Sequence, residues 1–311
     1  LLKNIYLKKL FWYQVPDRSE KPTSQKCSKK TLVTGSARLN TFKKAGDSLA
    51  GRHFLVRLLP LSVKELAPAD SDQAQAICER LLQFGGFPEP YLTADPTEYA
   101  LWQRAHLDVI LRQDLLDLEN VRSVKQIETL VTLLQERVGS GISYQGLSED
   151  LQVSPKTIKH WISILENLYI LFQVYPYHQN IAKAIKKEPK IYFFDYGRLK
   201  DPEARLENLM ACHLLKRNYF LEDTQGQGVG LFYLRDKQRH EVDFVLTQDG
   251  TITHLIEVKN RDDKASPSLK FFQERLKPPR AIRAVMYLER ENFPGPFEVL
   301  RMSHFLSSLE A

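Results

Sequence analysis

The chain has 311 residues, 43% hydrophobic and 26% charged, with a formal net charge of +6 and a pI near 9.0. That is globular composition with room for two or three packed domains, and the modest positive surplus permits a polyanionic partner without demanding one. Three widely separated cysteines, Cys27, Cys78 and Cys212, in no C-x-x-C or Cys/His spacing argue against a disulfide framework or a zinc site, and no apolar run or secretion signal points to a membrane, so a reducing cytoplasm is the expected location.

In chain order, residues 1–30 are poorly patterned, and little order is expected there. The chain begins at Leu1 and reads as a fragment. Thr31–Thr34 is a short β-branched run that ends in the polar turn Gly35-Ser36, and His53–Leu59 reads as a second strand. Ser62 is the expected N-cap of a following helix, with Glu65 at the capping-box position.

The strings TGSARLN (Thr34 to Asn40), GDSLAGR (Gly46 to Arg52) and LLPLSVKEL (Leu58 to Leu66) resemble the second half of the ATPase module in bacterial and archaeal AAA-type ATP-binding proteins that carry a C-terminal domain of unknown function. The resemblance implies that Ser36 reads the γ-phosphate through a water or Mg²⁺. It also implies that Arg52 is a finger reaching a neighbouring subunit's nucleotide, and hence a homo-oligomer formed through the ATPase module. The chain departs from the pattern in having no G-x-x-x-x-G-K-[ST] phosphate loop and no acidic pair closing an apolar strand before Thr31. Residues 1–70 are therefore expected to be the second half only of an AAA-type module, and ATP to be a ligand only of a complete protein.

Residues 71–190 read as a helical lid followed by a winged helix-turn-helix. Helical spacing runs through Ala76, Ile77, Leu81 and Phe84, breaks at the rigid loop GGFPEP (Gly85 to Pro90), and resumes from Leu101 to Leu111. Ile127, Leu130, Val131 and Leu134 line one later helix, and Tyr144, Leu147 and Leu151 a second. Ser154-Pro155 caps a third, whose Ile158, Trp161, Ile164 and Leu165 face inward. Lys156, Lys159 and His160 are left on its outer side, where a recognition helix meets nucleic acid, and Lys183, Lys186, Lys187 and Lys190 form a basic, wing-like loop. Winged helices also dock proteins, so both partner classes stand at this point.

In residues 191–311 a strand at Ile191–Phe194 and a turn at Asp195–Gly197 precede a helix from about Pro202 to Asn218. A strand at Leu231–Arg235, a hairpin turning at Asp249-Gly250, a helix at Leu269–Leu276 and an apolar strand at Ala281–Leu288 follow. In the hairpin the two-residue period sets Val242, Phe244, Ile256 and Val258 on one face and Glu241, Asp243, Glu257 and Lys259 on the other. An Asp beside a Glu-x-Lys supplies hard oxygen ligands for a divalent cation and an ammonium able to orient a water; a surface salt bridge is the plainer alternative.

The order helix, three strands, helix, strand resembles the core of restriction-endonuclease-like PD-(D/E)xK nucleases. The strings RLENLMACHLLK (Arg205 to Lys216), YLRDKQRHEVDFVL (Tyr233 to Leu246) and LIEVKN (Leu255 to Asn260) carry the match to the C-terminal domain of the same ATPase family. On that pattern Asp243 and Glu257 are metal ligands for Mg²⁺ or Mn²⁺, Lys259 activates the attacking water, and Glu207 completes the acidic cluster. The expected whole is an α/β chain made of a partial AAA-type P-loop module, a helical lid with winged helix-turn-helix, and a restriction-endonuclease-like domain. Its expected function is that of a nucleic-acid-associated ATPase fragment capable of metal-dependent phosphodiester hydrolysis; a non-catalytic regulatory or protein-binding module and an inactive relic are the alternatives.

Overall fold

A computed structural model of the chain describes residues 9–15, 29–35, 53–67, 73–111, 124–178, 188–261, 264 and 266–311. Strands β1 (Lys9–Val15), β2 (Lys29–Gly35) and β3 (His53–Arg57) pair antiparallel in the order β2-β1-β3. The expectation of little order before Thr31 is thereby corrected at KLFWYQV, whose aromatic and β-branched residues are good strand formers. α/β nucleotide modules are built on parallel strands with helical crossovers, so the pairing of these three adds nothing to the AAA-type reading of residues 1–70. Ser36 and Arg52 lie outside the described residues.

Helix α1 (Val63–Leu66) starts at the expected capping box: Ser62 accepts the Glu65 N–H, and the Glu65 carboxylate accepts the Ser62 N–H at 2.9 Å. Helices α2 (Ala74–Phe84), α3 (Pro88–Thr93) and α4 (Pro96–Val109) follow. Read as a rigid loop, GGFPEP instead opens α3, because proline at the first helical position forfeits no intrahelical N–H bond. Helix α5 (Val124–Gln135) packs with α6 (Tyr144–Leu151) and α7 (Pro155–Asn167), and Ile127, Leu130, Leu134, Leu147, Ile158 and Leu165 are fully buried between them. Ser154 caps α7 by accepting the Thr157 N–H at 3.1 Å, as its sequence position requires.

The chain then enters a seven-stranded mixed sheet, ordered β10-β9-β8-β7-β6-β4-β5. Its members are β4 (Leu171–Pro176), β5 (Lys190–Phe193), β6 (Val229–Arg235), β7 (Glu241–Gln248), β8 (Thr251–Lys259), β9 (Arg280–Val285) and β10 (Glu298–Arg301). The hairpin β4/β5 that follows the helix-turn-helix is thus not a separate wing. Its strand β4 runs parallel to β6 through Tyr175 opposite Phe232 and Pro176 opposite Tyr233, so the boundary drawn between residues 190 and 191 falls inside one continuous sheet.

Helix α8 (Pro202–Gln225), opened by Asp201 and Pro202 and closed by Gly226 at φ 66°, covers one face of this sheet. Its Leu206, Leu209 and Met210 share a core with Phe244, Leu246, Ile256 and Val258. Helix α9 (Pro267–Leu276) covers the other, where Leu269 and Phe272 meet Val242, Val245, Leu255 and Ala281. Helix α10 (Met302–Ser307) follows β10 and buries Met302, Phe305 and Leu306.

Residues 57–66 dock on α8. The Val63 N–H donates to His213 Nε2 at 3.0 Å, Lys216 Nζ donates to the Pro60 carbonyl at 2.8 Å and pairs with Glu65, and the Arg57 guanidinium is shared between Asp223 and Glu222.

Candidate functional site

The hairpin β7/β8 turns at Asp249 and Gly250, both at positive φ (48° and 79°), which is the left-handed pair that an Asp-Gly two-residue turn requires. Its first strand is irregular. Phe232 faces Val245 while Leu234 faces Val242, so β7 spends three steps where β6 spends two, and a bulge lies at Asp243–Phe244. The simple alternation read from the sequence fails there: Val242 points to α9, whereas Phe244 points to the α8 side with Ile256 and Val258.

The bulge also aims Asp243. The β7/β8 ladder begins at Phe244 opposite Ile256, and beyond it the Asp243 carboxylate accepts the Val258 N–H at 2.8 Å, taking over a backbone donor where the strands part. On the same side Glu207, from α8, accepts the Tyr192 hydroxyl at 2.6 Å and the Lys190 ammonium at 3.3 Å. Glu207 is set there by its neighbour Asn208, whose side-chain amide bonds both the N–H and the carbonyl of Phe193 at 2.8 and 2.7 Å and fixes α8 against β5. Lys190 reaches Glu241 of β7 at 2.6 Å and lies over the Tyr233 ring.

Burial and then the Asp243 charge push the Glu207 carboxyl up to about 7, against the opposing pull of Lys190 and of the Tyr192 hydroxyl. Burial pulls the Lys190 ammonium down, but the charges of Glu207, Asp243 and Glu241 more than offset it and leave its pKa raised.

Glu257 is elsewhere. By alternation with Ile256 and Val258 it belongs to the α9 face, and in the parallel register it stands opposite Arg283, whose guanidinium it accepts at 2.5 Å with both side chains buried. Lys259 ends β8 half-buried, its backbone carbonyl accepting the Met286 N–H at 2.9 Å.

The structure therefore gathers Glu207 and Asp243 and adds Lys190, Glu241 and Tyr192, while Glu257 pairs on the other face. Lys190, read as one of the wing lysines, is buried in the sheet; Lys183, Lys186 and Lys187 lie outside the described residues. Arg283 was hidden in the strand read as apolar from Ala281 to Leu288, yet a single arginine in AIRAVMYL requires a buried counter-ion and could have been flagged.

A hard divalent cation wants several free oxygens at one point. Here one Asp243 oxygen holds a backbone N–H, Glu207 and Glu241 already hold an ammonium, and Glu257 holds a guanidinium. Among the described residues no group of three or more His, Cys, Asp and Glu is arranged to hold a metal ion. As arranged, each of these carboxylates already has a protein donor.

The outer side of α7 is different in kind. Lys156, Lys159 and His160 are exposed there, while Ile158, Trp161, Ile162 and Leu165 on its inner side are buried. Among the described residues no helix is long and apolar enough to cross a membrane.

Residues 75–200 match the family described as Domain of unknown function (DUF8612), and residues 203–305 the one described as Domain of unknown function (DUF4143). An uncharacterized protein of Mycobacterium tuberculosis is 26% identical over 226 residues, covering 70% of this chain and 50% of its own length. One of Methanocaldococcus jannaschii is 25% identical over 238 residues, covering 69% of this chain and 52% of its own. One of Haemophilus influenzae is 24% identical over 209 residues, covering 61% and 52%. The chain spans about half the length of the curated relatives it matches. No solved structure matches it.

Proposed function

We propose that this chain is part of an AAA-type ATP-binding protein, in which the helix-turn-helix and the nuclease-like sheet form a module that engages nucleic acid without cutting it. The observation that carries the reading is the contrast along α7: its inner face is buried to the last apolar residue, and its outer face offers Lys156 and Lys159 to solvent with no ion-pair partner among the described residues. Such a face suits phosphates, which position a protein on a duplex. The AAA-type strings between Thr34 and Leu66 and the greater length of the relatives support the ATPase context. Cleavage is not expected, because the sheet's carboxylates are already engaged by Lys190 and Arg283.

The test is a salt series of duplex-DNA binding by the full chain. Lys156→Ala/Lys159→Ala should weaken binding and reduce the slope of log affinity against log salt by about one for each phosphate no longer neutralised. Unchanged affinity and slope would favour protein docking. With no phosphate loop in its sequence, the chain alone should not turn over ATP, and Arg52→Ala should change nothing in that assay.

A further inference from the structure

Two carboxylates, on Glu207 of α8 and on Glu241 of β7, meet the ammonium of Lys190 from β5, with Asp243 of β7 close by. Glu241 lies 2.6 Å and Glu207 3.3 Å from it, and the Asp243 charge acts on the same ammonium. The exposures set the roles. The Lys190 side chain is 2% exposed and sealed, whereas those of Glu207 and Glu241 are 20% and 30% exposed. The loop after α5 closes over the group: Gly141 bridges Lys190, and Gly139 sits at φ 76° where a Cβ would come within 2.8 Å of Glu207 Oε2.

A lysine this buried, without partners, would lose its proton, and three clustered carboxylates without a cation would repel. Each half of the cluster removes the cost of the other. Two consecutive family matches meet between these groups, with Lys190 in the first and Glu207, Glu241 and Asp243 in the second.

We propose that Lys190 is the resident cation of this cluster: its ammonium takes the place a divalent ion would otherwise fill among these carboxylates, makes the cluster metal-independent, and locks the β4/β5 hairpin to α8 and β7. The inference goes beyond nucleic-acid binding and is read independently of DNA affinity.

The experiment uses the full chain with Mn²⁺ alone as probe, followed by thermal melts and calorimetry. Wild type should give no heat of binding and no shift in Tm. Lys190→Met should melt lower, and millimolar Mn²⁺ should raise its Tm by roughly 5 °C as the metal fills the vacated charge site. Adding Asp243→Asn to Lys190→Met should remove that rise. Mn²⁺ binding by wild type that Asp243→Asn abolishes would overturn the proposal, and so would a folded Lys190→Met indifferent to Mn²⁺. Should Lys190→Met not fold with or without Mn²⁺, Lys190→Met/Glu207→Gln decides: recovered folding supports charge compensation as the role of Lys190, and continued failure overturns it.

Discussion

The outer face of α7 and the carboxylate cluster behind β7 are both charged, and the fold treats them in opposite ways. On α7 the lysines stand in water beside a buried apolar stripe, and the described residues give Lys156 and Lys159 no ion-pair partner. Behind β7 each carboxylate is answered inside the protein: Glu207 and Glu241 by Lys190, Asp243 by a backbone N–H, and Glu257, on the other face, by Arg283. A charge held in water at little cost is available to a partner, whereas a charge compensated within the core serves the fold. The charge pattern of the hairpin, read alone, pointed to chemistry; its neighbours in space point to architecture.

The comparison is broken most forcefully at Arg283. Arg283→Met should destabilise the protein by about 3–5 kcal/mol in chemical denaturation, because it strands a buried Glu257 carboxylate; Arg283→Met with Glu257→Leu should recover most of that deficit. A single substitution without cost would mean that the pair is not sealed.

A buried group that must stay neutral sharpens the contrast from the other side. His213 accepts the Val63 N–H at Nε2 and donates from Nδ1 to the Leu209 carbonyl at 2.8 Å, so both nitrogens are committed to the uncharged ring. Burial lowers its pKa from 6.5 to about 4. The folded state thus favours the neutral form: this stability is fully present above pH 6.5 and is lost as pH falls through about 4. It amounts to on the order of 3 kcal/mol, and a pH series of denaturation midpoints should show that decline in wild type and a flatter curve in His213→Gln.

Smaller effects mark the α7 side. Ser154→Ala should cost about 1 kcal/mol by removing the cap that starts the helix, measurable as a lower denaturation midpoint at unchanged slope. Lys156→Ala and Lys159→Ala should each change stability by less than about 0.5 kcal/mol while weakening DNA binding, the combination expected of charges that serve only a partner.

Local physics made much of this legible in the sequence. The capping residues Ser62 and Ser154, the Asp249-Gly250 turn and the inward stripes of α5, α6 and α7 depend on residues a few positions apart, and they stand where the pattern puts them. Helix α8 runs to Gln225, seven residues past the expected end, and closes at Gly226 in the left-handed conformation that glycine adopts without steric cost. What stayed hidden depends on register between distant strands. The bulge at Asp243–Phe244 is visible only against β6, and it reverses which apolar residues share a face. The pairing of Glu257 with Arg283 needs the parallel register of β8 on β9, and the burial of Lys190 needs α8 laid across β5. Proximity of Glu207 to Asp243 was implied by resemblance; the cations among them were not.

The merging of the β4/β5 hairpin into the large sheet also bears on how the protein keeps from sticking to itself. The sheet ends at β5 on one side and β10 on the other, each four residues long, and short edges offer little template for a second chain. Take away β4 and β5, and the new edge is β6, seven residues reading VGLFYLR with one charge at its very end. A C-terminal piece that begins after Phe193 would present that long, apolar edge to every other copy in solution. Such a piece should form soluble oligomers or precipitate in light scattering at concentrations where the full chain does not.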